Sequence, residues 1–214
     1  MKINIKNLSL EVQDVNENNI HLLSQELSNW QEKNQFMDFV KDIPVSPEDN
    51  LKILRETMSD GHNIQKIIIE ETRRQIVGFL VLDAFDEEQN SLESYMRVNP
   101  DFKGMGIGTI GRKGILEALL SKDVIKKIVS FHSAWNKASF IINKRSGFKL
   151  VDFLPKQTFL PNIGEKTDDF SRELTKEQTF KPKGELVNIC EDNKEKIFEG
   201  LIKHDLIDLL IMEK

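Results

Sequence analysis

Residues 96–109 read Met-Arg-Val-Asn-Pro-Asp-Phe-Lys-Gly-Met-Gly-Ile-Gly-Thr, the most informative stretch of the chain. The residues before it predict a strand over Ser91–Val98, and those after it predict a helix to about Leu120. Its alternating glycines predict a tight turn, because glycine allows close backbone approach. The first turn of a helix has unpaired N–H donors and a partial positive charge. The stretch therefore predicts an anion site suited to a pyrophosphate.

Strands and helices alternate on both sides of this stretch, which is typical of a mixed sheet flanked by helices. A hairpin of two apolar strands comes directly before it in the chain. Strands are predicted near residues 8–13, 64–71, 75–84, 91–98, 124–131, 148–153 and 169–174. Helices are predicted near residues 18–33, 47–60, 109–120, 136–146 and 191–212.

Composition indicates a globular protein and excludes several classes of site. Of 214 residues, 39 % are hydrophobic and 30 % are charged, which is ordinary for a folded domain. The single cysteine, Cys190, excludes an internal disulfide framework and a multi-cysteine zinc site. The four histidines are scattered, so no metal site is expected. A net charge of −5 argues against a nucleic-acid partner.

The apolar runs are short and interrupted by charged residues, and none approaches the ~20 residues that cross a bilayer. The first residues, Met-Lys-Ile-Asn-Ile-Lys-Asn, lack the apolar core of a secretory signal. We therefore expect a cytoplasmic protein without a membrane partner.

Two other phosphate-binding motifs describe the glycine stretch less well. Residues 106–111 fit the dinucleotide pattern G-x-G-x-x-G, but the next predicted strand ends Ser130-Phe131-His132 without the carboxylate that holds a ribose. A P-loop is excluded because no Gly-Lys-Ser/Thr follows.

A family resemblance rests on two motifs. Lys103-Gly104-Met105-Gly106-Ile107-Gly108 resembles the acetyl-coenzyme A pyrophosphate loop of the GNAT acyltransferases, with Lys103 where the family has Arg or Gln. Downstream, Asn136 with Ser139, followed by Gly147-Phe148, is similar to the family's Asn-x-x-Ala/Ser helix and its Gly-Phe ending. In motif style the chain is most similar to the ribosomal-protein-type N-acetyltransferases, which also carry Ser at this position.

The resemblance implies an α+β fold of three layers, αβα, whose mostly antiparallel sheet has six or seven strands. The resemblance covers about residues 8–174. We therefore expect an acetyltransferase domain over residues 1–175 and a C-terminal extension with an amphipathic helix over residues 176–214. The apolar face of that helix is expected to pack on the domain or on a second copy of the chain, which would make a homodimer.

The resemblance implies an N-acetyltransferase that moves an acetyl group from acetyl-coenzyme A to a primary amine of a small molecule, protein or peptide. In the family the sheet splays after the fourth predicted strand, where backbone groups contact the cofactor and stabilise the developing oxyanion. The implied cofactor-binding residues are Met96, Arg97, Val98, Lys103, Gly104, Met105, Gly106, Ile107, Gly108, Thr109, Asn136 and Ser139.

The attacking amine must be neutral, so a general base is useful. The candidates are Glu93 and Tyr95 on the fourth strand and His132 at the end of the fifth. Many members place an acidic Tyr where this chain has Asn143, and Asn cannot give up a proton. The alternative is therefore a non-catalytic coenzyme A-binding or regulatory module.

The segment between the first strand and the hairpin is where the family builds its acceptor pocket. Acids there suit a cationic amine, although they also suit the water-facing side of an amphipathic helix. The segment holds Trp30, Glu32, Phe36, Asp38, Phe39 and Asp42.

Overall fold

A computed structural model describes residues 1–5, 7–33, 35–37, 40–41, 45–122, 125–160, 164–176 and 189–211. Its strands are β1 (Lys2–Ile5), β2 (Leu8–Asp14), β3 (Gln35–Met37), β4 (Val40–Lys41), β5 (Ile64–Glu70), β6 (Gln75–Asp86), β7 (Ser91–Val98), β8 (Lys127–Ser133), β9 (Lys149–Leu160) and β10 (Glu165–Thr175). Its α-helices are α1 (Ile20–Lys33), α2 (Pro47–Ser59), α3 (Arg112–Leu120), α4 (Lys137–Arg145), α5 (Lys194–Lys203) and α6 (Ile207–Ile211). Within the described residues, no helix has the length and apolar character needed to span a membrane.

Eight strands form one sheet in the order β1-β2-β5-β6-β7-β8-β10-β9, and β3 pairs with β4 separately. The pairs β1/β2, β2/β5, β5/β6, β8/β10 and β9/β10 are antiparallel, whereas β7 and β8 are parallel. The predicted α+β fold with a mixed, mostly antiparallel sheet is confirmed. The sheet has more strands than the six or seven predicted, since β1 joins its edge. β1 was not among the predicted strands, although its sequence Lys-Ile-Asn-Ile and its burial both alternate.

The chain divides into two compact units. The first unit consists of Met1–Phe85 and Ser94–Ile115, and the second of Asp86–Glu93 and Leu116–Lys214. The division of the chain at residue 175 stays a prediction.

In the first unit, α1 and α2 cover one face of β5 and β6. Helix α2 begins as predicted, because the Ser46 side chain accepts a hydrogen bond from the Asp49 N–H at 3.0 Å. The apolar stripe predicted for α1 is buried in a core that α2 and the strands complete. This core contains Val15, Ile20, Leu23, Leu27, Trp30, Leu54, Ile67, Ile76 and Phe79.

The opposite face of β5 in the same unit contacts the segment after the glycine stretch. Ile67 and Ile68 are neighbours in β5, so their side chains point to opposite faces. A Cβ placed on Gly111 would lie 2.9 Å from Ile68 Cδ1, and one placed on Gly78 would lie 3.1 Å from it. Helical segments thus pack on both faces of this part of the sheet, which is the predicted αβα layering.

The second unit has its own core, in which the C-terminal helices take part. A Cβ on Gly200 of α5 would lie 2.4 Å from the Phe153 ring, so α5 packs closely on β9. The apolar face of the extension therefore packs on its own chain. This core contains Ala134, Phe140, Leu150, Phe153, Phe170, Ile197, Leu201, Leu206 and Leu210.

The C-terminal helical region is broken, in contrast to the continuous spacing predicted over residues 191–212. Asp205 has φ +53°, a left-handed conformation, directly after α5. The Leu206 N–H donates to the Leu201 carbonyl at 2.9 Å and the Asp205 N–H to the Ile202 carbonyl at 3.2 Å. These two bonds form a Schellman cap, which ends α5 and lets α6 begin in a new direction.

A buried carboxylate ties α5 to β10. Asp168 lies at a register shift between β9 and β10, and it is 7 % exposed. Its Oδ2 accepts hydrogen bonds from Lys203 Nζ at 2.6 Å and His204 Nε2 at 2.8 Å, while Oδ1 accepts from the Lys156 N–H at 2.9 Å. Burial opposes ionisation, but these donors outweigh it and lower the pKa of Asp168 to about 2.

We expect Gly200→Val to destabilise the protein, because the Phe153 ring occupies the space that a side chain needs. Overpacking of this kind costs about 1–3 kcal/mol. The control is Gly61→Val, since a Cβ on Gly61 meets no atom within 4 Å. Thermal denaturation followed by circular dichroism should show a lower Tm for Gly200→Val alone. Equal Tm values for both variants would contradict the packing described.

We expect the Asp168 carboxyl group to titrate near pH 2, below the usual value of about 3.9. Because its pKa is lowered on folding, its contribution to stability is present above about pH 4 and is lost as pH falls toward 2. Carboxyl ¹³C NMR should show a higher pKa in Lys203→Met and no change in Lys52→Met, an exposed lysine on α2. An unchanged pKa in Lys203→Met would contradict the anchor.

Candidate active site

The glycine stretch is anchored at its start by a buried asparagine. Asn99 is 2 % exposed, and its N–H donates to the Val77 carbonyl at 3.0 Å. Val77 is an extra residue in β6, since Ile68 pairs with Gly78 and Ile69 pairs with Ile76. The bulge thus supplies the acceptor that fixes the end of β7.

The next residues form a short 3₁₀ turn, Pro100–Phe102, which Asn99 caps by accepting from the Asp101 N–H at 3.0 Å. Phe102 is buried, and the Arg73 guanidinium lies 5.6 Å from the centre of its ring. The turn places Lys103 on the surface at the entrance to the glycines.

Two glycines of the stretch adopt left-handed backbone conformations. Gly104 has φ +77° and Gly106 has φ +92°, values that other residues rarely adopt. The Gly106 carbonyl accepts from the N–H groups of Thr109 at 3.1 Å and Ile110 at 2.8 Å. A π-helical turn, Ile107–Gly111, follows and leads into α3, where an α-helical start was expected.

The N–H groups of this turn suit an anion. Among the described residues, no backbone acceptor pairs with the N–H of Gly104, Gly106, Ile107 or Gly108. A Cβ on Gly104 would meet no atom within 4 Å, so the backbone is accessible on that side. The N–H groups of Gly106, Ile107 and Gly108 are consecutive donors at a helix start without backbone acceptors among the described residues, and with Lys103 nearby they fit a pyrophosphate.

The structure decides which face of β7 carries the predicted catalytic residues. The Arg112 side chain of α3 donates to the Ser94 carbonyl at 3.4 Å and to its hydroxyl group. Met96 Cε lies 4.0 Å from the Cβ position of Gly111. Ser94 and Met96 therefore face α3. By alternation Tyr95 lies on the other face, that of α1 and α2, and it is 47 % exposed.

Within the first unit, Arg97 lies on the same face of β7 as Tyr95. Glu93, in the second unit, has the same odd-numbered spacing along the strand. The parallel register of β7 with β8 pairs Ser91–Glu93 with Lys127–Val129, although both strands are longer. The part of β7 that includes Tyr95, Met96 and Val98 lies beyond this register.

Arg112 is a functional candidate that sequence reasoning missed. It is 3 % exposed at the start of α3. Burial lowers its pKa to about 10, so it remains a cation at neutral pH. Arg112 directly follows Gly111, and a positive charge next to the glycines was the sequence signal that could have identified it as a candidate.

His132 occupies a buried setting in the second unit. It is 7 % exposed, and its Nε2 accepts a hydrogen bond from Arg172 Nε at 3.0 Å. Arg172 is fully buried, and its guanidinium lies 4.4 Å from the centre of the Phe140 ring. A histidine that accepts at Nε2 carries its proton on Nδ1 and is neutral. Along β10, Arg172 alternates with Phe170 and Leu174, and this spacing was the sequence signal that the Arg172 side chain is buried.

The asparagine motif forms the start of α4. Asn136 Oδ1 accepts from the Ser139 N–H at 3.1 Å, so Asn136 is an N-cap. Asn143 is 2 % exposed, and its side-chain N–H donates to the Ser139 carbonyl at 3.0 Å. The residue at the family's Tyr position is therefore held within its own helix, and Gly147, with φ +90°, follows the end of α4.

The predicted acceptor segment is described in part. Trp30 is buried in the core of the first unit, and its indole N–H donates to Glu26 Oε2 at 3.0 Å. Asp38, Phe39 and Asp42 lie outside the described residues, as do the side chains of Glu32 and Phe36. Among the residues that the structure describes, no group of three or more His, Cys, Asp or Glu could hold a metal ion.

Comparison with known proteins decides the family. The family model for the acetyltransferase (GNAT) domain matches residues 21–149, more than half of the chain. The chain belongs to the GNAT acetyltransferase family. A search of curated proteins finds no significant match.

Solved structures show the same GNAT fold at low sequence identity. The Salmonella typhimurium enzyme that modifies the N-terminal serine of ribosomal protein L7/L12 is 17 % identical, with a TM-score of 0.67, over 82 % of this chain and 99 % of that one. Spermidine N-acetyltransferase from Vibrio cholerae, in complex with CoA and spermine, is 13 % identical, with a TM-score of 0.66, over 80 % of this chain and 98 % of that one.

We expect Gly106→Ala to weaken coenzyme A binding, since φ +92° strains any residue with a Cβ and Ile5 Cγ2 would lie 3.3 Å from it. Left-handed strain of about 1–2 kcal/mol corresponds to an increase in Kd of about 5- to 30-fold if binding needs this conformation. Isothermal titration calorimetry of coenzyme A should show this loss, with Gly61→Ala as the control. Unchanged affinity in Gly106→Ala would mean that the glycine has a packing role only.

Proposed function

We propose that this GNAT protein transfers an acetyl group from acetyl-coenzyme A to a primary amine. Acetyl-coenzyme A supplies the activated acetyl thioester. The observation that carries the proposal is the loop after β7, where left-handed Gly104 and Gly106 precede N–H groups without backbone acceptors among the described residues. A site built from backbone N–H groups suits a pyrophosphate.

The proposed contacts to the acyl donor follow the resemblance. Backbone groups of β7 would bind the pantetheine arm, the glycine loop would bind the pyrophosphate, and the start of α4 would contribute Asn136 and Ser139. Asn136 Oδ1 already caps α4, so its remaining capacity lies in its side-chain N–H₂ group. The proposed residues of β7 and the loop are Met96, Arg97, Val98, Lys103, Gly104, Met105, Gly106, Ile107, Gly108 and Thr109.

Proton transfer is assigned to β7. Glu93 is the proposed base that removes the proton from the acceptor amine, because a carboxylate accepts protons and the amine attacks only when neutral. Tyr95, which has the same odd-numbered spacing along β7 and is 47 % exposed, is the proposed donor to the leaving thiolate. His132 is proposed as a positioning residue, since its Nε2 already accepts from buried Arg172.

The acceptor is proposed to be a small-molecule or peptide amine. A solved neighbour binds spermine and another modifies an N-terminal serine, and both acceptors carry a primary amine.

We also propose a homo-oligomer, as a spermidine N-acetyltransferase neighbour is dodecameric. The free Cys190 accords with a reducing compartment, and we propose the cytoplasm.

Acetyl-coenzyme A should raise the Tm of the wild-type protein, with NAD as the control. At 100 times its Kd, a ligand adds about 2.7 kcal/mol to the free energy of unfolding, which raises the Tm by about 5–10 °C for a chain of this size.

Acetyl transfer to a panel of amines can be measured by the release of the coenzyme A thiol. We expect kcat to fall by about 100-fold or more in Glu93→Gln, because the proposed base is removed.

The matched control for Glu93→Gln is Glu88→Gln, which removes the same charge from the exposed turn after β6. A Tm increase without transfer to any amine would support the non-catalytic coenzyme A-binding module instead. No Tm increase would contradict both functions.

A further inference from the structure

Three oxygen atoms on the α1/α2 face of β5 and β6 are buried without a hydrogen-bond partner. They are Asn63 Oδ1, Gln65 Oε1 and Asp83 Oδ1, and no donor to them is present among the described residues. Each is an acceptor, and a buried acceptor without a donor is costly. We call these atoms the oxygen cluster, and they belong to the first unit.

The side-chain nitrogens of both amides are held by carbonyls of α2. Asn63 donates through Nδ2 to the Thr57 carbonyl at 3.2 Å. Gln65 donates through Nε2 to the Leu54 carbonyl at 3.1 Å, and it is 7 % exposed. Since each nitrogen is bound to a helix carbonyl, the orientation of both amides is defined and both oxygens remain as acceptors.

The register of the hairpin brings Asp83 to the same place. Gln65 pairs with Val81 and Ile64 pairs with Leu82, so the next position of the antiparallel register sets Asn63 opposite Asp83. Val81 packs against the core under α1 and α2, and by alternation Asp83 lies on that face too. Residues opposite and diagonal on one face of a sheet are neighbours.

The surroundings of the oxygen cluster are negative. Burial raises the pKa of Asp83, and the carboxylate of Asp60 raises it further. Asp60 is the C-cap of α2, where the helix dipole adds partial negative charge. Asp83 and Asn63 are half-buried, so the cluster lies near the surface with Gln65 below them.

We propose that the oxygen cluster binds a protonated primary amine, the second ammonium group of a diamine-type acceptor. This rests on the proposed acetyl transfer. An ammonium group has three N–H donors and one charge, which match three acceptors and one carboxylate. Ca²⁺ takes six to eight oxygen ligands, more than the cluster offers. Water has no charge to balance Asp83.

The bound amine is not the one that reacts. A carboxylate and two amide oxygens stabilise the charged form of an amine, whereas the attacking amine must be neutral. Tyr95 lies on the same face, on the strand next to β6 in the sheet. Acceptors with two amines separated by a short apolar chain are therefore the expected substrate class.

The test measures amine binding to the full chain by isothermal titration calorimetry, without an acyl donor. The probes are 1,4-diaminobutane and 1-aminobutane. The variants are Asp83→Asn, which removes the charge at constant shape, and Gln65→Met, which removes one oxygen. Glu88→Gln is the control, as it removes an exposed charge outside the cluster. Because no transfer is measured, failure of the proposed enzyme reaction and failure of this site are distinguishable.

We expect Asp83→Asn to weaken diamine binding by about tenfold or more, the loss typical of a charged hydrogen bond, and Gln65→Met to weaken it by severalfold. Glu88→Gln should bind as the wild type does. In the wild-type protein, carboxyl ¹³C NMR should show the pKa of Asp83 falling when 1,4-diaminobutane is added, a readout that needs no variant.

Three results would overturn the proposal. The first is no diamine binding to the wild-type protein, which would leave the cluster to internal water. The second is equal binding to the wild type and Asp83→Asn. The third is a Tm increase with CaCl₂ or MgCl₂ that Asp83→Asn removes and 1,4-diaminobutane does not reproduce, since that would make it a metal site.

Discussion

The close packing of Ile68 on two glycines is the constraint on which the glycine loop depends. Ile68 projects from β5 into space that exists only because Gly78 and Gly111 have no side chains. This contact sets the π-helical turn against the sheet, so α3 begins where the loop ends. The bulge at Val77, which anchors Asn99, lies beside the same residue in the β5/β6 register. Packing and hydrogen bonding thus fix both ends of the loop.

A loop fixed at both ends can present backbone N–H groups to an anion without being ordered by it. Preorganised donors cost little conformational entropy on binding. The departure from the family at Lys103 is consistent with this arrangement, because the backbone of the glycines provides the directional donors and a lysine adds only charge. In the first unit, the turn after the glycine loop packs on the Ile68 face of β5, opposite the α1/α2 side on which Tyr95 and the oxygen cluster lie.

The second unit uses the C-terminal extension as part of its core. Gly200 lets α5 approach the Phe153 ring, and Asp168 binds the end of the same helix through Lys203 and His204. The apolar spacing of residues 191–212 indicated that this segment packs on something. The choice of its own β9 and β10 as the partner depends on a glycine and a carboxylate that lie about 30 residues apart in the chain.

The sequence by itself determined the features that depend on local backbone chemistry. The helix that begins after Ser46, the helix near residues 18–33 and the tight glycine turn all follow from neighbouring residues, and the structure has each of them. The π-helical start after the glycines was not predicted. The edge strand β1 was missed because it is only 4 residues long, although its burial alternates. The setting of His132 and the meeting of Asn63, Gln65 and Asp83 were decided only by the tertiary structure. Each depends on which residues face each other across paired strands, and that register is set by packing between segments far apart in the chain.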